Sequence, residues 1–165
     1  MKRLLLSAIA TGLLAGGAQA AEEMTLQLKW VTQAQFAGYY VALENGYYAD
    51  EDLDVTIKPG GPDIAPVQVL LGGGADVMID WMPSALAARE QGAPIVNIAQ
   101  PFASSGLMLT CLKEHGINSP ADFPGHTLGT WFFGNEIPLF AWMNKLGIPT
   151  DGSEGGVTIQ KINFN

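Results

Sequence analysis

The chain has 165 residues, a formal charge of −8 and a sequence pI near 4.5. That acidity excludes nucleic acid and anionic membranes as partners driven by bulk charge, and the length allows a sizeable core. One cysteine, Cys111, excludes an internal disulfide.

Residues 1–20 carry Lys2-Arg3, an apolar run through Leu14 and then Ala18-Gln19-Ala20. A basic start, a short apolar segment and an Ala-x-Ala site predict an export signal cleaved after about Ala20. The run is short for a membrane span, which leaves an uncleaved anchor as the lesser alternative. Removing Lys2 and Arg3 would make the remainder more acidic still.

The remainder predicts a mixed α/β fold. Leu26–Val31 reads as a strand. Phe36, Tyr40, Leu43 and Tyr47 then fall at helical spacing on a core-facing stripe, and Gly46 is a helix stop. Val55–Lys58 predicts a second strand. Asp63 is placed to cap a helix carrying Pro66, Val67, Leu70 and Leu71, which Gly72-Gly73-Gly74 ends. Ala75–Ile79 is a third strand, followed by Asp80-Trp81 and a helix from Pro83 with Leu86 inward. Ile95–Ala99 reads as a fourth strand. Strands alternating with helices imply right-handed βαβ units and a mostly parallel sheet.

Leu107–Leu112 is a further expected strand, with Cys111 as a small buried residue within it. A reactive thiol is the alternative, although no basic neighbour or CxxC spacing supports it. Ser119 and Asp122 form a capping pair. Thr127–Trp131 is a strand. A helix follows the Phe132–Glu136 turn and runs to Leu146, with Leu139, Trp142, Met143 and Leu146 inward and Gly147 at its end. Val157–Phe164 is the last strand. These elements predict one nearly complete α/β lobe over residues 21–106. Residues 107–165 predict a crossover and an incomplete second lobe, as in a fragment of a two-lobed protein. A partner-completed oligomer is the alternative.

The polar and aromatic residues gather at the carboxyl ends of expected parallel strands, where open α/β sheets bind ligands. Trp30, Phe36, Trp81 and Trp131 are candidate ring-stacking residues. Gln33, Gln35, Asp80, Asn135 and Glu136 are candidate hydrogen-bonding partners for ring nitrogens and amino groups, and Gly61 sits in a loop open to close ligand approach. Together they suit a planar, polar heteroaromatic. Each has a plainer reading. Aromatics at strand ends also make core, Asp80 can cap the helix begun by Pro83, and Glu136 can serve as a first-turn acid. His115 and His126 stand apart from any ligand-spaced partner, so no metal is expected. No serine has a G-x-S-x-G setting.

Five stretches then carry a resemblance: LKWVTQAQFAGYYVALENGYY, LDVTIKPGG, GGADVMIDWMPSALAAREQG, SPADFPGHTLGTW and FFGNEIPLFAWMNKLGI. Over residues 26–164 the chain resembles periplasmic solute-binding proteins of ABC importers, in the group for thiamine-pyrimidine precursors and riboflavin. These share a superfamily with the thiamine pyrimidine synthases. The resemblance implies a type II-like periplasmic binding fold, a periplasmic location and hinge closure on a small heteroaromatic. It also implies an inner-membrane ABC permease as partner, no cofactor, and a monomer in the full-length parent. The synthases use a pyridoxal-phosphate lysine and a sacrificed histidine four residues later. Asp80 and Ser84 stand at the matching positions, so the resemblance implies binding without that chemistry. The rival expectations are a synthase-like enzyme and, lower, a sulfonate- or nitrate-type binder. The last would want cleft lysines, and only Lys29 and Lys58 lie near the strand ends.

Overall fold

A computed structural model describes residues 20–163; the expected export signal therefore lies outside the described residues, apart from Ala20. Those residues build two separate parallel sheets. The first has the order β2-β1-β3, from β1 (Glu22–Gln27), β2 (Leu53–Lys58) and β3 (Val77–Met78). The second pairs β4 (Thr127–Thr130) with β5 (Thr158–Lys161).

Strand β1 begins earlier than its apolar run, because Glu22–Thr25 align in register with Leu53–Thr56 of β2. It also pairs past its regular end. Leu28 N–H donates to the Lys58 carbonyl (2.8 Å), and Gly60 N–H donates to the Trp30 carbonyl (2.9 Å). Helix α1 (Ala37–Glu44) returns from β1, and Gly46 turns the chain at φ 76°. Only its amino-terminal part follows the expected stripe. Phe36 is buried and Tyr40 packs on the core, whereas Leu43 and Tyr47 are exposed. Tyr39 and Tyr48 also pack there. Burial raises both phenols above their ordinary pKa, and Tyr48 adds to the effect on Tyr39.

Helix α2 (Pro66–Leu71) starts with proline in its first turn and buries Pro66 and Val67. Asp63 does not cap it; its carboxylate lies 3.4 Å from Lys161 Nζ instead. Helix α3 (Met82–Glu90) has its proline near the start, but Leu86 points outward and the smaller Ala87 and Ala88 face inward.

The fourth expected strand does not form. Residues 93–112 contain no strand, and Val96 and Ile98 are 76% and 75% exposed. An extended run becomes a strand only beside a backbone that completes its hydrogen bonds, and the two-residue β3 offers no ladder for it. The first sheet therefore has three strands among the described residues, not four. The same holds for Leu107–Leu112, where Cys111 is exposed rather than buried and its Sγ–H reaches the Ile117 carbonyl at 3.4 Å.

In the second half, Ser119 and Asp122 form the capping pair around a single tight turn at Pro120–Asp122. Helix α4 (Glu136–Leu146) ends at Gly147 with φ 71°. Leu139 and Met143 join Phe123, Leu128 and Val157 in a second core. Trp142 and Leu146 remain largely exposed, although the Trp142 ring meets Phe123 edge-on at 5.4 Å. Among the described residues, no helix is long and apolar enough to cross a membrane.

Candidate functional site

The carboxyl ends of the two sheets face one another. Lys29 and Asp80 follow β1 and β3, and Phe133–Asn135 follow β4. Lys29 Nζ lies 2.8 Å from Asp80 Oδ1, and both side chains are 3% exposed. The same ammonium donates to the Phe133 carbonyl at 2.6 Å, which ties the two sheets together. A buried charge needs an opposite charge and hydrogen bonds, and Lys29 has both.

Asp80 thus takes a role absent from both sequence readings. It does not cap α3 through its side chain, since Trp81 holds the cap position. Its Oδ1 accepts from Lys29 and also from Trp81 N–H at 2.8 Å, so it fixes the start of the α3 approach. Ser84, one turn into α3, donates its hydroxyl to the Trp81 carbonyl at 3.0 Å.

The 131–136 loop is held as firmly. Asn135 Nδ2 donates to the Phe132 carbonyl, and Glu136 Oε2 accepts from Gly134 N–H, both at 2.9 Å. Phe133 and Gly134 have φ of 60° and 100°. A Cβ on Gly134 would collide with Ser84 Cβ and come within 3.0 Å of Ser84 Oγ, so the loop rests directly on α3. Gly60 is tight for another reason: a Cβ there would meet the Leu28 carbonyl oxygen and stand 2.6 Å from the Lys29 carbonyl carbon.

Two features result. One is a cavity of about 270 Å³ with mixed walls, where Lys29, Asp80, Ser84 and Glu136 stand among Val67, Ala87, Ala88 and Ile137. It lies just below the roughly 300 Å³ at which small-molecule pockets usually begin. The other is aromatic and packed on the interior: the Trp30 and Trp131 rings meet at 5.2 Å between centroids, tilted by 53°, with Trp30 buried in the first core and Trp131 half-buried against it. The Trp131 indole N–H is buried and has no hydrogen-bond partner among the described residues.

Of the residues singled out in the sequence, Trp30, Asp80, Trp131, Asn135 and Glu136 come together around this junction. Trp81 borders it, half-buried. Phe36 packs inside the first core. Gln33 and Gln35 are exposed in the turn before α1, and Gly61 is buried with open space around its Cα hydrogens. Lys29 as the partner of Asp80 was missed. The available signal was a lysine alternating with Leu26, Leu28 and Trp30 in a strand that elements follow on both sides. Among the described residues, no cluster of His, Cys, Asp and Glu is arranged to hold a metal ion.

The NMT1/THI5 like family matches residues 33–164. The chain belongs to that family. Among its relatives, the formylaminopyrimidine-binding protein of Halalkalibacterium halodurans is 33% identical over 111 residues, which are 67% of this chain and 34% of that protein. The 4-amino-5-hydroxymethyl-2-methylpyrimidine phosphate synthase of Legionella pneumophila is 32% identical over 64% of this chain and 34% of its own length. The riboflavin-binding protein RibY of Chloroflexus aurantiacus is 28% identical over 87% of this chain and 41% of that protein. The chain thus spans about a third of the length of the first two relatives. In fold it is similar to a crystal structure of a candidate lipoprotein from Actinomyces odontolyticus, with a TM-score of 0.52 and 12% identity over 87% of this chain and 63% of that one. The NMT1/THI5-like membership fits the mixed α/β architecture with parallel sheets.

Proposed function

We propose that this chain is part of the solute-binding component of an ABC importer, which captures a small heteroaromatic such as a formylaminopyrimidine or riboflavin. The observation that carries the reading is the junction itself. Two sheets present their carboxyl ends to one another around a cavity of mixed lining that holds Lys29 and Asp80, and a tryptophan pair follows β1 and β4 at the same end. In this reading residues 21–106 and 107–165 belong to two lobes that close on the ligand, and residues 1–20 direct export to the periplasm. Trp81 and Trp131, both half-buried, offer ring faces, Trp30 backs Trp131 from the core, Asp80 and Glu136 line the cavity, and Asn135 braces the loop behind it. An inner-membrane permease receives the cargo. The relatives named for binding formylaminopyrimidine and riboflavin support this choice of ligand.

A synthase is the second reading, favoured by the relatives named as synthases. The residues present do not fit pyridoxal phosphate at the positions that the resemblance marks. The Asp80 carboxylate cannot form a Schiff base, and Ser84 has no imidazole to give up. A sulfonate- or nitrate-type ligand is disfavoured because the Lys29 charge is already matched by Asp80.

Titrating the chain with riboflavin, followed by flavin fluorescence, and with formylaminopyrimidine, followed by tryptophan fluorescence, tests the proposal. Saturable quenching by one of them is expected. No response to either would overturn it, and an aldimine absorbance band on adding pyridoxal phosphate would favour the synthase.

A further inference from the structure

We infer that Lys29 is a positioning residue: its ammonium holds the 131–136 loop in the shape that sets Trp131 against Trp30. The inference deepens the binding reading, in which that tryptophan pair is the aromatic wall. Its test uses no ligand, so the two fail separately.

Phe133 is the point of departure. It is a non-glycine residue at φ 60°, a backbone region that side chains rarely adopt without compensation. Its own side chain does not provide that compensation through burial, since it is 40% exposed. What the conformation achieves is to turn the Phe133 carbonyl inward, where Lys29 Nζ meets it at 2.6 Å. A hydrogen bond from a charged donor is stronger than a neutral one. Lys29 is itself aimed by Asp80, whose other hydrogen bond fixes the Trp81 amide. One buried ammonium therefore connects the ends of β1, β3 and β4.

Among the described residues, the other side-chain bonds to the loop come from the loop itself or from Thr130 just before it, whose hydroxyl donates to the Trp131 carbonyl at 3.1 Å. Asn135 holds the Phe132 carbonyl and Glu136 holds Gly134 N–H, so they set the shape of the turn without tying it to β1. The other cation near Phe133 is Lys161, whose Nζ lies 5.4 Å from the ring centroid; its side chain is 46% exposed. It touches the ring and leaves the carbonyl alone. Trp131 stands two residues before Phe133, and its ring packs on Trp30, the residue after Lys29. The register of the tryptophan pair thus depends on the Lys29 bond.

The chain has four tryptophans, so Trp81→Phe/Trp142→Phe leaves the pair as the only tryptophans, read in the long-wavelength tryptophan bands of the near-ultraviolet circular dichroism, beyond the tyrosine and phenylalanine signals. In that background, Lys29→Met/Asp80→Leu removes the bond to Phe133 without stranding a buried carboxylate. The expected result is an unchanged far-ultraviolet spectrum with the tryptophan signal reduced by about half or more. Lys29→Arg, which keeps a charged donor, and Lys161→Met should both retain the signal. A double variant with the parental tryptophan signal overturns the inference. So does a double variant that fails to fold, because Lys29 would then be structural rather than positioning.

Discussion

Strands β1 and β4 both lead into the junction, yet they bury their side chains differently. From Leu26 to Trp30 every residue is buried, polar Gln27 and Lys29 included. Along β4 burial alternates: Leu128 and Thr130 are buried, Thr127 and Gly129 exposed. The cause is position. β1 lies between β2 and β3, whereas β4 pairs only with β5 among the described residues. A central strand covered on both faces gives its polar residues no water, so they find internal partners. Gln27 Nε2 uses the carbonyls of Leu28, Lys58 and Pro59, and Lys29 uses Asp80 and Phe133. The buried polar residues Gln27 and Lys29 therefore reach neighbouring elements, whereas buried Thr130 at the end of β4 donates to the next carbonyl along its own chain, that of Trp131.

The strongest way to break this contrast is Lys29→Met alone, which leaves Asp80 buried and unpaired. It should cost about 3–5 kcal/mol in urea unfolding, most of it recovered in Lys29→Met/Asp80→Leu. Equal stability of the single and double variants would refute the claim that the pair is mutually dependent. Next comes the second core. Met143→Ala, at a fully buried position, should cost about 2–5 kcal/mol, whereas Leu146→Ala on the exposed side of the same helix should change stability by about 0.5 kcal/mol or less.

A smaller, pH-dependent effect sharpens the comparison at an exposed polar residue. The Asp122 carboxyl is held below its ordinary pKa by the Asn118 and Ser119 amides and the Ser119 hydroxyl. A depressed folded value means that its stabilisation is present above the unfolded value and is lost as pH falls through the folded one. The stability gap between the parent and Asp122→Asn should therefore be full at neutral pH and close in acid. A gap that stays constant down to about pH 2 would refute it. The smallest effect is expected at Val96→Ser, where the side chain is exposed and the change should lie within about 0.5 kcal/mol.

Much of this organisation is legible in the residues. Gly46 and Gly147 stop their helices at positive φ, the Ser119–Asp122 pair forms, and β2, β4 and α4 lie near their expected places. Local signals suffice there, because a cap or a left-handed glycine is decided within a few residues. The failures involve partners far away in sequence. Apolar content at Ile95–Ala99 and Leu107–Leu112 expresses a preference for burial but does not provide the neighbouring strand that would satisfy it. Leu86 is exposed while Ala87 and Ala88 are half-buried and line the cavity, an orientation of α3 that its apolar spacing does not mark. Lys29 and Asp80 are 51 positions apart in sequence; nothing between them marks the pair, although each is odd where it stands.

Gly134 carries a consequence for how such a protein can change over time. Its φ excludes most side chains, and its contact with Ser84 excludes even a methyl group. Handedness and spacing forbid replacement independently, so relaxing one leaves the other in force. Drift at this position requires coordinated change in the loop and at Ser84 on α3, so the residues around it are free to vary long before the spacer itself.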